Sequence, residues 1–95
     1  MSKDFQPLQV YLNKAYSDLG LTDLAQGARV IEVYKSVVGD LISKLSSSIR
    51  YDNHRLYVSI ASAALRNEMA YKRQSLVSKI NEEIGQPLLH DIIFN

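Results

Sequence analysis

The sequence predicts an α+β fold in which helices cover one face of a small three-stranded sheet. Apolar residues recur every three to four positions in three segments, whereas between residues 45 and 60 they recur at every second position. The closing segment, residues 88–94, is short and rich in β-branched and aromatic residues, which is typical of a strand. The expected order of elements is therefore helix, helix, hairpin, helix, strand.

Two helices are expected in the first part of the chain. The first covers residues 5–19, between Pro7 in its first turn and Gly20 at its end, with an apolar face formed by Leu8, Tyr11, Leu12, Ala15, Tyr16 and Leu19. A short segment capped by Thr22 or Asp23 leads to Gly27, and the second helix runs from Ala28 to Leu45. Gly39 inside this helix costs about 1 kcal/mol relative to Ala. Either a close backbone approach or a local break is expected there.

A hairpin, one long helix and a last strand are expected in the second part. Asp52, Asn53 and His54 separate two alternating segments and have turn chemistry, so the two strands should pair antiparallel. Ser62 caps the helix that follows, and Gly85 with Pro87 ends it. Its core stripe contains Leu65, Met69, Leu76, Ile80 and Ile84, widened by Val77. The segment from Leu88 to Phe94 should complete the sheet, because a two-stranded hairpin alone is only marginally stable.

Length and composition predict one domain over residues 1–95, made of an N-terminal helix within 1–20 and a core over 28–95. The chain has 95 residues, 46% of them apolar, and no Cys. Disulfides, thiolate nucleophiles and Cys-type zinc sites are therefore excluded, and two His are too few for a closed structural metal site without carboxylate ligands. No signal-peptide pattern and no run of about 18 apolar residues are found. We expect a cytoplasmic protein that neither spans nor binds a membrane.

The net charge of +1 hides a basic block in the middle of the chain. Residues 35–79 hold eight Lys and Arg against three Asp and Glu, whereas residues 80–95 hold three acidic residues and no Lys or Arg. Concentrated charge of this kind can form a local phosphate-binding surface on a nearly neutral protein. Dispersed, solvated surface charge is the alternative interpretation.

The predicted nucleic-acid-binding residues lie on the hairpin and on the long helix. The sheet face opposite the core should present Arg50, Arg55 and Tyr57. Two pairs of cations, each spaced seven residues apart, should flank the apolar stripe of the helix: Lys72 with Lys79, and Arg66 with Arg73. Guanidinium groups can hold phosphate and Tyr57 can stack on an unpaired base, which favours single-strand binding. The alternative is that these cations only solvate the edges of a buried helix. Tyr71 lies away from the apolar stripe and is either an exposed contact for a partner or an incidental surface aromatic.

The sequence offers no pattern for catalysis, for a cofactor or for a metal. It has no Gly-rich phosphate loop, no GxSxG and no HExxH spacing. Glu82 and Glu83 are adjacent and point in different helical directions, so they form a poor acid/base pair. His54 is expected in a turn and His90 in a strand, partly buried and hydrogen-bonded, with Asp91 on the opposite face. We therefore expect a protein that is not an enzyme and has no small-molecule substrate.

From Val30 to Phe94 the chain resembles the DciA-type family. The matching stretches are VYKSVVGDLISKLS (33–46), HRLYVSIASAALRNEMAYKRQSLVSKIN (54–81) and LLHDIIF (88–94). The resemblance implies a KH-like fold and an ATP-independent accessory that binds the bacterial replicative helicase of the DnaB type and helps to load it during DNA replication. The chain has Tyr34 where the family usually has Trp, and it lacks the GxxG loop with which KH domains clamp a nucleic-acid backbone.

Three classes of function follow from these observations. The first is a DciA-like binding module that contacts the helicase and, weakly, single-stranded DNA. The second is a protein-interaction domain with no nucleic-acid role, which the near-zero net charge favours. An enzyme is third, because no nucleophile, base and orienting group converge in the sequence.

Overall fold

The computed structural model describes residues 21–95, and the helix predicted over residues 5–19 lies outside this range. The described residues form three helices and three strands. In chain order they are α1 (Leu21–Leu45), β1 (Ser46–Asp52), β2 (Arg55–Ile60), α2 (Ala63–Tyr71), α3 (Arg73–Ile84) and β3 (Asp91–Phe94). The predicted α+β class is confirmed.

The strands form one mixed sheet with β2 in its centre. β1 pairs with β2 in antiparallel register, with Arg50 opposite Tyr57 and Asp52 opposite Arg55, which confirms the predicted hairpin. β3 completes the sheet as predicted, and it runs parallel to β2, with Asp91 opposite Arg55. A parallel neighbour needs a crossover connection, and α2 with α3 provides it. β3 begins three residues later than the predicted strand.

The core lies between one face of this sheet and the helices. Strand alternation turns Leu56, Val58 and Ile60 of β2 and Ile92 of β3 toward the helices, and all four are buried. α1 packs on β1 and on α3, whereas α2 and α3 both pack on β3. The remaining buried apolar side chains of the described residues are Val30, Val33, Tyr34, Met69, Ile80, Leu88 and Leu89.

Helix α1 differs from the prediction at both of its glycines. It begins at Leu21 and continues through Gly27, so the predicted start at Ala28 is wrong. A Cβ on Gly27 would lie only 3.1 Å from Cδ1 of Tyr51, so the absence of a side chain here allows α1 to approach β1 closely. Gly39 has φ 88° and ψ 171°, which interrupts the helix, and no atom lies within 4 Å of a Cβ placed there. Of the two explanations for Gly39, the local break is confirmed.

The long helix predicted after the hairpin is two helices, divided at Lys72. The backbone of Lys72 has φ −92° and ψ 4°, and its N–H is shared between the carbonyls of Glu68 and Met69 at 3.2 and 3.1 Å. A shared bond of this kind tightens the end of a helix. Neither Gly nor Pro is present at the division, so the sequence carried no signal for it. The predicted ends are confirmed, since Ser62 accepts a hydrogen bond from the N–H of Leu65 and Gly85 is left-handed with φ 87°.

Two side-chain hydrogen bonds hold the segment that leads into β3. The amide of Asn81 donates to the carbonyl of Leu89 and accepts from its N–H, both at 2.8 Å. These two bonds take the place of a backbone pair in a sheet. They satisfy the N–H and the carbonyl of Leu89, which lies outside the strands. Leu88 and Leu89 are thereby buried before β3 begins.

Candidate nucleic-acid interface

The sheet face turned away from the helices is exposed within residues 21–95. This open face, defined as the outward side chains of the three strands, carries Ser48, Arg50 and Asp52 of β1, Arg55, Tyr57 and Ser59 of β2, and Asp91 and Ile93 of β3. All of them are exposed or half-buried. Three residues predicted for nucleic-acid binding, Arg50, Arg55 and Tyr57, therefore lie on one surface.

Arg50 and Tyr57 form a stacked pair at the centre of the open face. The guanidinium carbon of Arg50 lies 4.4 Å from the centre of the Tyr57 ring, within the range of a cation–π interaction. A loose ion pair to Asp52, 3.8 Å long and well exposed, is a second contact of the same guanidinium. Exposed pairs of this kind contribute little to stability. The two contacts of Arg50 instead keep a flat cation beside an aromatic ring on an accessible surface.

The hairpin turn joins the open face to the segment before β3. Asn53 and His54 both have positive φ, 50° and 64°, as the tight turn of a two-residue hairpin requires. Nδ1 of His54 lies 3.0 Å from the carbonyl oxygen of Leu88, and the backbone N–H of His90 donates to the carbonyl of His54 at 2.8 Å. These two bonds bring the imidazoles of His54 and His90 together in a stack, with centroids 4.7 Å apart and planes inclined by 18°.

A polar groove lies beside this histidine stack. Its volume is 780 Å³, and its walls are the hairpin turn, the start of β3 and residues 73–78 of α3. Arg55 and Asp91 belong both to the groove and to the open face, so the two surfaces are continuous. Arg73 enters the groove from α3, with its Nε 4.0 Å from Oδ1 of Asp91. The groove therefore joins the predicted residue Arg73 to the three on the sheet.

The other three predicted residues lie elsewhere. Arg66 is half-buried and donates to the carbonyl of Ile60 at 2.7 Å, at the opposite end of β2 from Arg55. Lys72 pairs with Glu68 at 3.3 Å. At 100° per residue, Lys72 and Lys79 lie on the side of α3 turned away from the groove. The division at Lys72 also removes the single helical face that was expected to hold Arg66 and Arg73.

His90 and Asp91 differ from the prediction. His90 precedes β3, is exposed rather than partly buried, and lines the same groove as Asp91 instead of the opposite face. Gln74, Ser78 and His54 also line this groove and were not among the predicted residues. Sequence signals for them were weak, because the groove is assembled from three elements that are distant along the chain.

Tyr34 and Tyr51 are the described ionisable groups whose pKa is clearly shifted. Burial raises the pKa of Tyr34 above 10.0, and its hydrogen bond to Ser46 offsets part of that effect. The pKa of Tyr51 is also raised, first by burial and second by the carboxylate of Asp23. Both shifts belong to packing against the helices rather than to the open face.

Within residues 21–95 no cluster of three or more His, Asp or Glu is arranged to hold a metal ion, and every buried side-chain polar atom has a hydrogen-bond partner. In the same range no helix has the length and apolar character needed to cross a membrane.

Tyr71 is 91% exposed, as its position away from the apolar stripe predicts.

Comparison with known proteins gives one family match. No curated protein and no solved structure matches the chain, so the KH-like description of the fold stays a prediction. The model of one family, described as "Dna[CI] antecedent, DciA", matches residues 7–94. This match spans the described domain and most of the segment that precedes it. The chain therefore belongs to the DciA family.

Proposed function

We propose that this chain binds single-stranded DNA on its open face while it acts as an accessory of the replicative helicase. The DciA family comprises non-enzymatic accessories in the loading of the DnaB-type helicase, and membership supports that general role here. Binding of single-stranded DNA, its site and the contact with a particular helicase are the proposed parts.

The observation that carries the DNA-binding proposal is the stacked pair of Arg50 and Tyr57. An accessible aromatic ring is a stacking platform for an unpaired base, and this platform tolerates any base sequence. Arg50 covers one part of the ring, so an incoming base either displaces the guanidinium or stacks on its outer surface. In both arrangements the guanidinium is free to contact a phosphate. Ile93, opposite Tyr57 on β3, extends the platform with apolar surface.

The proposed contacts are Arg50, Arg55, Tyr57 and Arg73. They come from three elements but share one continuous surface, the open face with its adjoining groove. Arg66, Lys72 and Lys79, which the sequence also suggested, lie outside this surface and serve at most to attract DNA over longer distances.

The test is the affinity for a fluorescently labelled oligothymidine, measured by anisotropy over a series of salt concentrations. Removing the ring in Tyr57→Ala should cost about 1–3 kcal/mol of binding free energy. The matched control is Tyr71→Ala, which removes an equally large and more exposed ring from outside the open face. Equal affinity of the wild type and Tyr57→Ala would refute this site, and no binding by the wild type even at low salt would refute the function.

A protein-interaction module without nucleic-acid binding is the second candidate. Leu24 and Leu41 on α1 are 68% and 70% exposed, and a groove of 260 Å³ between α1, α2 and α3 is lined by Val37, Ile42, Leu65 and Met69 among others. Exposed apolar surface of this kind favours a protein contact.

Size-exclusion chromatography with the DnaB-type helicase of the same organism separates the two candidates. Co-elution that is unaffected by oligothymidine, together with no DNA affinity of the isolated chain, would favour the second candidate. Co-elution together with DNA affinity that depends on Tyr57 supports the first. Separate elution in every condition would contradict the helicase contact for this chain.

A further inference from the structure

The groove beside the histidine stack has the chemistry of an anion site. Two guanidinium groups, Arg55 and Arg73, and two imidazoles, His54 and His90, line it together with the amide of Gln74. The groove contains a single carboxylate, Asp91, whose Oδ1 already accepts a hydrogen bond from the N–H of Ile92 at 2.8 Å. Donors and cations therefore outnumber acceptors on its walls. A site with this composition suits a phosphate better than a cation or an apolar ligand.

Hydrogen bonding assigns the proton on His54. The carbonyl oxygen of Leu88 can only accept, and it lies 3.0 Å from Nδ1, so Nδ1 carries a hydrogen. The hydroxyl of Tyr51 lies 3.3 Å from the same nitrogen. In the neutral ring Nε2 is then an acceptor, and only the protonated ring can donate from Nε2 to an anion. Among residues 21–95 no hydrogen-bond partner engages Nε2 of His54.

The stacking of His54 on His90 couples protonation to anion binding. Two imidazolium rings with centroids 4.7 Å apart repel each other. A phosphate beside the stack offsets this repulsion, so binding favours protonation and, by linkage, protonation favours binding. Charged or titratable groups from every neighbouring element surround the two histidines. They are Asp23 of α1, Tyr51 and Asp52 of β1, Arg55 of β2, Arg73 of α3 and Asp91 of β3.

The position of the groove fits a nucleic-acid backbone that crosses the open face. Arg55 and Tyr57 are two residues apart on the same side of β2, which is about 7 Å along the strand. A strand with one base on Tyr57 can therefore place a neighbouring phosphate at the mouth of the groove, between Arg55 and Arg73.

We infer that this groove is a phosphate-binding subsite for single-stranded DNA, in which Arg55 and Arg73 hold the phosphate and the His54–His90 stack makes its affinity higher at low pH. The inference rests on the proposed DNA-binding function and adds to it a location for the backbone and a pH dependence. The phosphate is either an internal phosphodiester or a terminal 5′-phosphate, both of which present anionic oxygens to the guanidinium groups.

The experiment compares oligothymidine with and without a 5′-phosphate, at about pH 8 and about pH 6, the interval in which histidine titrates. Wild-type affinity for the oligonucleotide without a 5′-phosphate should rise at the lower pH, because its phosphodiesters keep their charge throughout this interval. Arg73→Gln should weaken binding about tenfold, as expected for a hydrogen bond to a charged group, and should reduce the salt slope by about 0.7, the value for one phosphate contact on a single strand. Preference for the 5′-phosphorylated oligonucleotide identifies a terminal phosphate, and equal affinity identifies a phosphodiester.

Three further variants exclude a merely structural effect. His90→Gln should reduce the pH dependence, because one of the two imidazoles is removed, while the turn, in which His54 has positive φ, stays unchanged. His54→Asn should also reduce it, and Asn is chosen because it tolerates the positive φ of this position. Asp91→Asn should strengthen binding, since it removes the carboxylate from the groove and keeps an oxygen for the N–H of Ile92. Lys35→Gln, which removes an exposed cation of α1, is the charge-matched control for Arg73→Gln.

The outcomes separate this inference from the function on which it rests. If the wild type does not bind DNA, the proposed function is wrong. A second outcome would refute the phosphate subsite alone. In that case DNA binding depends on Tyr57, but Arg73→Gln and His90→Gln have the same affinity, salt slope and pH dependence as the wild type.

Discussion

The hydroxyl groups of Tyr34 and Ser46 lie 3.0 Å apart and join helix α1 to the first residue of β1. Ser46 donates its only hydroxyl hydrogen to the carbonyl of Ile42 at 2.8 Å, so Tyr34 is the donor in the pair. The ring of Tyr34 is completely buried. This short chain of hydrogen bonds holds the end of α1 against the sheet edge and satisfies the only polar atom of the Tyr34 side chain.

Tyr34→Phe should lower the free energy of unfolding by about 1 kcal/mol, because it removes one hydrogen bond and leaves the ring in place. Tyr34→Ala should cost about 3–5 kcal/mol, the usual effect of truncating a large buried aromatic side chain. Urea unfolding followed by circular dichroism measures both values. Tyr71→Phe is the control, since that ring is almost fully exposed. Equal stability of Tyr34→Phe and the wild type would contradict the role assigned to this hydrogen bond.

Stability should also fall at alkaline pH because of Tyr34. Burial raises the pKa of Tyr34 in the folded protein above the unfolded value of 10.0. Between these two values the unfolded chain releases a proton that the folded chain keeps, so the free energy of unfolding decreases as pH rises through this interval. Tyr51, whose pKa is also raised, adds to the effect. Urea midpoints measured from neutral pH to above pH 10 should decline less steeply in Tyr34→Phe, and parallel curves would contradict this assignment.

Gly39→Ala should destabilise the protein by about 1–3 kcal/mol, the cost of a non-glycine residue in a region of φ and ψ that is almost restricted to glycine. In an uninterrupted helix the same change would stabilise by about 1 kcal/mol, so the sign of the effect tests the break in α1. Ser36→Ala, at an exposed position of the same helix, is the control and should change stability by a few tenths of a kcal/mol. A more stable Gly39→Ala protein would show that α1 is continuous in solution.

Arg66 and Arg73 should differ in what their substitution affects. Arg66→Gln should lower stability, because it breaks a 2.7 Å hydrogen bond to the carbonyl of Ile60 at the end of the central strand. It should leave the salt slope of DNA binding unchanged. Arg73→Gln, by contrast, breaks only an exposed 4.0 Å ion pair, so its unfolding midpoint should match that of the wild type. Similar losses of stability in the two variants would contradict this distinction.

The order of elements and most of their ends were predictable because they depend on local chemistry. The alternation of Leu56, Val58 and Ile60, the turn residues Asn53 and His54, and the caps Ser62 and Gly85 act within a few residues of themselves. The same local reasoning missed the start of α1 before Gly27 and the division at Lys72. At Gly27 the deciding contact is with Tyr51, a residue of another element.

The candidate site was predictable only in part. Alternation along β1 and β2 placed Arg50, Arg55 and Tyr57 on one face, and the register of the hairpin brought Arg50 and Tyr57 together. The spacing of seven between Arg66 and Arg73 indicated a shared helical face, which does not exist because the helix is divided between them.

By itself, the sequence determined the α+β class, the hairpin, the polar outer face of the sheet and the resemblance to the DciA family. The first three features follow from periodicity and turn chemistry, which neighbouring residues set, whereas the resemblance rests on the matching stretches of sequence. Only the tertiary structure decided that β3 lies parallel to β2, that His90 stacks on His54, and that Arg73 shares a groove with Arg55. Contacts between residues far apart in the chain depend on how the helices cross over the sheet, and no local pattern specifies that path.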